Sequence, residues 1–242
     1  MTRVKVVGAR SIGNHLSHAA RSLGWAVDLC DRDPEALKRT RNFIYPYRYG
    51  VWDESISLHI AEKAPVGNHD AIFIGTPPDN HLELAVWAVE EGPSLVHLEK
   101  PVCLPDLLGA EDLLAAAEKK NVKLTVEYDL LLGTAFLRME NLLNELPLGE
   151  IQSIDVEIRE HWGGIFAAHS WLNGPEDSYL GYWHRGGGSA GEHSHGLNMW
   201  QHLAIVVGAG MVSEVSAAAN YAEDGMLSYD KLMAVNLLTE LD

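Results

Sequence analysis

The sequence is poor in cations. Eighteen Lys and Arg stand against 34 Asp and Glu, a formal charge of −16 over 242 residues. Such a surface repels phosphate backbones and anionic lipid headgroups, which argues against nucleic acid or a membrane as partner. Any anionic ligand then needs a local, prearranged site. Cysteine is scarce as well: Cys30 and Cys103 alone supply neither a disulfide framework nor a zinc set. No run reaches the roughly 18 apolar residues of a membrane span, and the opening MTRVKVVGAR lacks the apolar core of a secretion signal. These absences lead to the expectation of a cytoplasmic protein. With 47% hydrophobic and 21% charged residues, the remainder is ordinary globular material, enough for one large domain or two modest ones.

What is present is a rhythm of apolar runs and amphipathic stretches. Val4–Gly8 is an apolar run ending in glycine, and Ile12–Leu23 behind it has helical texture. A second run, Trp25–Cys30, stops at Asp31, after which Asp33 and Pro34 offer an N-cap and a first helical residue. Ala71–Gly75, Ser94–Leu98 and Val122–Val126 read as further strands, with helices at 81–92 and 106–120 between them. Apolar strands without alternation, separated by helices, predict an α/β fold: a doubly wound parallel Rossmann sheet over residues 1–128. Residues 129–242 read as a smaller α+β domain with a mainly antiparallel sheet, serving substrate binding or oligomerisation. Its expected elements are a helix at 134–146, an alternating strand Ile151–Ile158, and a Gly- and aromatic-rich loop at 162–188. A helix from Gly191 to Val207 and strands at 212–221 and 231–238 follow.

The first run meets its helix through Gly8-Ala9-Arg10-Ser11-Ile12-Gly13. A dinucleotide fold needs a tight turn there, aiming backbone N–H groups and a helix N-terminus at a pyrophosphate. The full fingerprint has glycine in the third place, where this chain has Arg10. Asp31 lies 18 residues beyond Gly13, near the spacing of an acid that bonds the adenosine ribose; Arg32 beside it suits a 2′-phosphate instead. The turn is a candidate site for NAD or NADP.

Thr76-Pro77-Pro78-Asp79-Asn80-His81 and Glu99-Lys100-Pro101 each follow a strand, at the edge where open α/β sheets bind ligands. Pro101 biases Lys100 toward an extended conformation, so the lysine becomes a placed cationic donor or a tuned acid. These segments resemble the glucose–fructose oxidoreductase / inositol dehydrogenase (Gfo/Idh/MocA) family. In that family a G-x-G-x-x-G turn, a T-P-x-x-x-H segment and an E-K-P tripeptide occur in this order, followed by a Gly-rich stretch entering a helix with acid and histidine. The matches here are Gly8 and Gly13, Thr76-Pro77 with His81, Glu99-Lys100-Pro101, and Gly186–Asn198. The resemblance implies a nicotinamide-dependent oxidoreductase in which Lys100 faces nicotinamide and substrate while Thr76, Pro77 and His81 line the cofactor cleft, next to Glu99. The family usually has Asp four residues before and three after the helix histidine. Relative to His195 this chain has Gly191 and Asn198 there, with Glu192 shifted by one. Family members commonly run longer, so a short or truncated member is expected, its open sheet edge covered in a homodimer or tetramer.

Arg185-Gly186-Gly187-Gly188-Ser189-Ala190-Gly191-Glu192-His193-Ser194-His195-Gly196 then reads as a loop entering a helix, its glycines letting the chain pass close to cofactor or substrate. At about 100° per residue, Glu192, His195, Asn198 and His202 share one helix face. No metal is expected, because E-x-x-H has no second copy and His193-x-His195 splays its rings. Acid/base work suits better: His195 takes the proton of a substrate hydroxyl, Glu192 or Asn198 orients it, and Lys100 polarises the oxygen. Tyr128, Trp183, His184 and Asn198 are the candidate contacts to a sugar- or cyclitol-like substrate, while domain packing is the plain alternative for the aromatic loop. The expected activity is NAD(P)-dependent hydride transfer at a secondary alcohol or ketone. Its rivals are a non-catalytic nucleotide-binding protein, or a lyase, hydrolase or epimerase with tightly bound NAD.

Overall fold

A computed structural model describes residues 1–240. It separates into two compact units, Met1–Glu127 and a second from Tyr128 onward.

In the first unit, β1 (Arg3–Val7) leads through the glycine turn into α1 (Ser11–Ser22), and β2 (Ala26–Asp31) follows. Asp33 caps α2 (Pro34–Arg39), its carboxylate accepting from Glu35 N at 2.9 Å with Pro34 in the first turn. A π-turn over Thr40–Ile44 and α3 (Tyr45–Tyr49) lead to β3 (Ile56–Ile60). Then come β4 (Ala71–Ile74), α4 (His81–Glu91), β5 (Leu95–Leu98), α5 (Ala110–Lys120) and β6 (Lys123–Val126). The six strands are parallel in the order β3-β2-β1-β4-β5-β6. The chain winds outward from β1 on one side and resumes at β4 on the other, so a crevice opens at the carboxyl ends of β1 and β4. One sheet face packs Ile72, Ile74, Val96 and Leu98 on Ala85, Ala88, Val89 and Leu113; the other packs Val4, Val6, Val27 and Leu29 around Ala20, Ala36 and Trp52.

Two details depart from expectation. The strand β3 was not anticipated: ISLHI is an edge strand that buries only Ile56 fully. α5 begins at Ala110 rather than near 106, because Leu107 (φ 57) and Gly109 (φ 86) hold the preceding chain in left-handed conformations that a helix cannot continue.

The second unit holds α6 (Thr134–Glu145), α7 (Gly163–Ala168), α8 (Gly188–Glu192), α9 (Ser194–Val206) and an antiparallel ladder of β7 (Val212–Asp224) with β8 (Leu227–Thr239). The strand expected at Ile151–Ile158 does not form. Its alternation is satisfied against α9 instead, where Trp200 Nε1 donates to Ile154 O at 2.9 Å and Ile158 lies over Gly196. The single helix expected over Gly191–Val207 is broken at His193, which ends α8 and precedes α9. Glu192 and His195 therefore sit on different helices. Among the described residues, no helix is long and apolar enough to cross a membrane.

The strand core carries a buried ion pair. Lys5 Nζ, in the middle of β1 and fully shielded, reaches both carboxylate oxygens of Glu91 at 2.5 and 2.8 Å and lies 4.6 Å from the centre of the Trp87 ring. Glu91 also accepts from Gly67 N at 2.9 Å. Removing one partner strands the other charge, so Lys5→Ala is expected to cost about 3–5 kcal/mol in urea unfolding. The double variant Lys5→Met/Glu91→Leu is expected to recover most of that loss.

Candidate functional site

The turn after β1 is closed by glycine at two points. Gly8 has φ +101, and a Cβ there would lie 2.8 Å from Gly75 O. A Cβ on Gly13 would lie 1.7 Å from Gly8 O, so no larger residue allows α1 to start this close to β1. Arg10, by contrast, has φ −97 and ψ −151, an extended conformation open to any residue. The missing glycine therefore costs no backbone strain, and the Arg10 side chain is exposed.

Polar side chains brace the turn from behind. Asp31 Oδ2 accepts from Ala9 N at 2.8 Å and Oδ1 from Asp33 N at 2.9 Å. Asn14 Nδ2 donates to Arg10 O at 2.6 Å and to Thr40 Oγ1 at 3.2 Å, and the Thr40 hydroxyl donates to Ala9 O. Asn14 and Thr40 are fully buried. With these carbonyls held from behind, the first N–H groups of α1 are left to face outward; α1 has no side-chain cap and no acid in its first turn. Arg48 adds positive charge beside them, reaching Ser11 O at 3.0 Å and Ser11 Oγ at 2.8 Å. Arg32 is exposed.

At the ends of β4 and β5 the structure changes the expected role of His81. It is fully buried, with Nδ1 2.8 Å from Pro101 O and Nε2 2.7 Å from Thr76 O. Burial pushes its pKa down, against the pull of the two carbonyls and Asp79. His81 is thus an internal strut joining two strand-end loops rather than a lining of a cleft. Thr76 and Pro77 are half-buried, and the Lys100–Pro101 peptide is cis. Glu99 is 8% exposed and accepts from Lys100 N at 3.1 Å. Burial, followed by the charge of Glu127, pushes its carboxyl up to about 7.

In the second unit, Tyr128 meets His195 edge-on at 5.5 Å, and Asp129 Oδ1 lies 3.9 Å from His195 Nδ1. Asn198 stands one turn further along α9, with Oδ1 shielded and accepting no hydrogen bond from the described residues. Trp183 and His184 are exposed in the aromatic loop. Glu192 Oε2 accepts from the Tyr179 hydroxyl at 2.9 Å.

The glycine run packs tightly within its own unit. A Cβ on Gly187 would lie 2.0 Å from Tyr179 O, on Gly188 1.9 Å from Asp230 Oδ1, and on Gly191 2.1 Å from Gly186 O. Position 191 therefore has no room for an acid. Asp230, 3% exposed, anchors the run by accepting from Ser189 Oγ at 2.5 Å and Ala190 N at 2.7 Å. Among the described residues, no group of three or more His, Cys, Asp or Glu is arranged to hold a metal.

Residues 2–128 match the Gfo/Idh/MocA family, an oxidoreductase family with an NAD-binding Rossmann fold. The chain belongs to this family. It is 32% identical over 118 residues to Oxidoreductase P35 of Formosa agariphila, a match covering 48% of this chain and 36% of that protein. In fold it resembles the WlbA dehydrogenase of Chromobacterium violaceum, solved with NADH and UDP-GlcNAcA (TM-score 0.72, 20% identity, 99% of this chain and 64% of that one). It also resembles a Synechocystis biliverdin reductase solved with biliverdin and NADP+ (TM-score 0.67, 17% identity, 99% of this chain and 68% of that one). The chain thus spans about a third of the curated relative's length and under two thirds of the WlbA enzyme's. A Gfo/Idh/MocA cofactor fits the residues present, since the glycine-closed turn and the uncapped N-terminus of α1 form a cradle for a pyrophosphate.

Of the residues that sequence reasoning missed, Asn14 and Thr40 hold the turn and Asp230 holds the glycine run. Their signal was a polar residue inside an apolar pattern, which names no partner. Asn14→Ala and Thr40→Val are each expected to lower stability by about 1–3 kcal/mol, because a buried partner loses its hydrogen bond. Each is also expected to weaken NADH binding, measured by tryptophan fluorescence titration of the folded variants.

Proposed function

We propose that this chain is an NAD-dependent oxidoreductase that moves hydride between nicotinamide and a secondary alcohol or ketone of a sugar- or cyclitol-like substrate. The observation that carries this reading is the phosphate turn, closed by Gly8 and Gly13, braced by Asp31, Asn14 and Thr40, and opening onto a helix N-terminus. On this reading the first unit is the dinucleotide-binding domain and the second serves substrate and oligomerisation. Asp31 and Asp33 at the end of β2 favour the free 2′-hydroxyl of NAD over the 2′-phosphate of NADP, by charge repulsion.

Bound nicotinamide supplies the hydride donor or acceptor. The protein's own residues do the rest. His195 takes the hydroxyl proton, with Asp129 near Nδ1 as the group that orients the ring. Lys100, at the carboxyl edge of β5, polarises the oxygen on which charge develops. Asn198, with its shielded amide oxygen, and the exposed Trp183 and His184 contact substrate. Glu192 leaves the acid/base set, since Tyr179 holds it on the short helix before His193.

Titration with NADH is expected to quench tryptophan fluorescence at lower concentration than NADPH; no response to either at millimolar levels defeats the reading. With a turned-over polyol or sugar, Lys100→Ala and His195→Ala are expected to lower turnover roughly 100-fold or more while leaving NADH affinity near wild type. The exposed Val215, Leu232 and Leu238 on the β7–β8 ladder support a homodimer or tetramer, and light scattering at micromolar concentration is expected to give a multiple of 26.6 kDa.

A further inference from the structure

On the sheet face that carries Phe73, β5 and β6 place polar side chains where a parallel sheet ordinarily buries apolar ones. His97 pairs in register with Thr125, and its Nδ1 lies 2.9 Å from the Thr125 hydroxyl. Its Nε2 lies 2.5 Å from Glu127 Oε2. An ionised carboxylate only accepts, so Nε2 donates to it. Phe73 meets the imidazole edge-on at 5.6 Å. Thr125, His97 and Glu127 thus form one hydrogen-bonded chain.

That chain ends beside the glutamate of the E-K-P segment. Strand alternation brings residues 99 and 127 out on the same side as 97 and 125, and the ladder persists there, with Glu127 N donating to Leu98 O at 2.8 Å. Glu99 is buried and accepts from Lys100 N. The groups acting on it are Glu127 just past β6, the adjacent Lys100, and His97 from β5. Its carboxyl, pushed up to about 7, is raised first by burial and then by Glu127, while Lys100 and His97 pull the other way.

We propose that Glu127, oriented by His97 and Thr125, is a positioning residue whose fixed negative charge holds a proton on Glu99, so that Glu99 does not neutralise the Lys100 cation. This rests on the reading of Lys100 as the group that polarises the substrate oxygen. An ionised Glu99 adds a counter-charge on the residue next to Lys100; a neutral one adds none.

The test is a carboxyl titration of the full, ligand-free chain, with glutamate labelled by 13C at the side-chain carboxyl and followed by NMR. One glutamate is expected to titrate at about 7, and its signal to disappear in Glu99→Gln. Removing a like charge favours ionisation, so Glu127→Gln is expected to lower that midpoint by roughly half a unit or more, whereas Glu127→Asp keeps it near wild type. Glu127→Ala carries the same expectation should Glu127→Gln fail to fold. A midpoint unmoved in a folded charge-free variant overturns the proposal, as does a wild-type chain with no glutamate titrating above about pH 6. With substrate and NAD, the alkaline limb of kcat is expected to move down with the NMR midpoint in Glu127→Gln. Loss of NADH binding with the NMR shift intact would strike the oxidoreductase reading alone. Intact NADH binding with no NMR shift would strike only the role of Glu127.

Discussion

The approach of α1 to the end of β1 sets the terms for the whole first unit. At Gly13 even a methyl group would meet the Gly8 carbonyl at 1.7 Å, and at Gly8 it would press on Gly75. Helix, first strand and fourth strand therefore meet at one point, the one where the sheet order reverses. Because the backbone is this close, its polar groups must find partners at once: Asn14 and Thr40 donate to the carbonyls of Arg10 and Ala9, and Asp31 accepts from Ala9 N, each from a different element. The result is a turn that leads into an uncapped helix N-terminus, which matters in a chain of net charge −16. An anion reaches this protein through local dipoles and a few arginines, against its overall field.

A similar economy of space governs the glycines of the second unit, with a different outcome. Gly187, Gly188 and Gly191 fit against the carbonyls of Tyr179 and Gly186 and the carboxylate of Asp230. Their role is to let a loop fold tightly onto a strand, and Asp230 pins it there. The start of α9, and with it His195, is placed by that anchorage. Glu192 is a by-product of the same packing: the short helix α8 ends at His193, so the glutamate turns to Tyr179.

The polar chain at the end of β5 and β6 shows how a strand edge can carry charge without unfolding. His97 satisfies Thr125 and Glu127 within one sheet face, leaving a buried Glu99 next to a lysine. Lys5 and Glu91 solve the same problem by pairing directly under Trp87. In both places burial is tolerated because each ionised group finds a donor or acceptor within hydrogen-bonding distance.

The alternation of apolar runs with amphipathic stretches was enough to define the doubly wound sheet, the glycine turn after β1 and the Asp33 cap, because each depends on residues adjacent in sequence. The positions of Asp31, Thr76, Lys100 and His195 as candidates were legible for the same reason, each closing or opening an element. What the sequence could not contain was contact at long range. The edge strand Ile56–Ile60 gains its identity only by pairing with β2, and Ile151–Ile158 loses its expected strand because Trp200 and Gly196 receive it instead. The inward turn of His81, the braces Asn14 and Thr40, the anchor Asp230 and the break at His193 were likewise decided by tertiary packing. In each case the deciding atom belongs to a residue distant in the chain or to a carbonyl that only the folded backbone brings near.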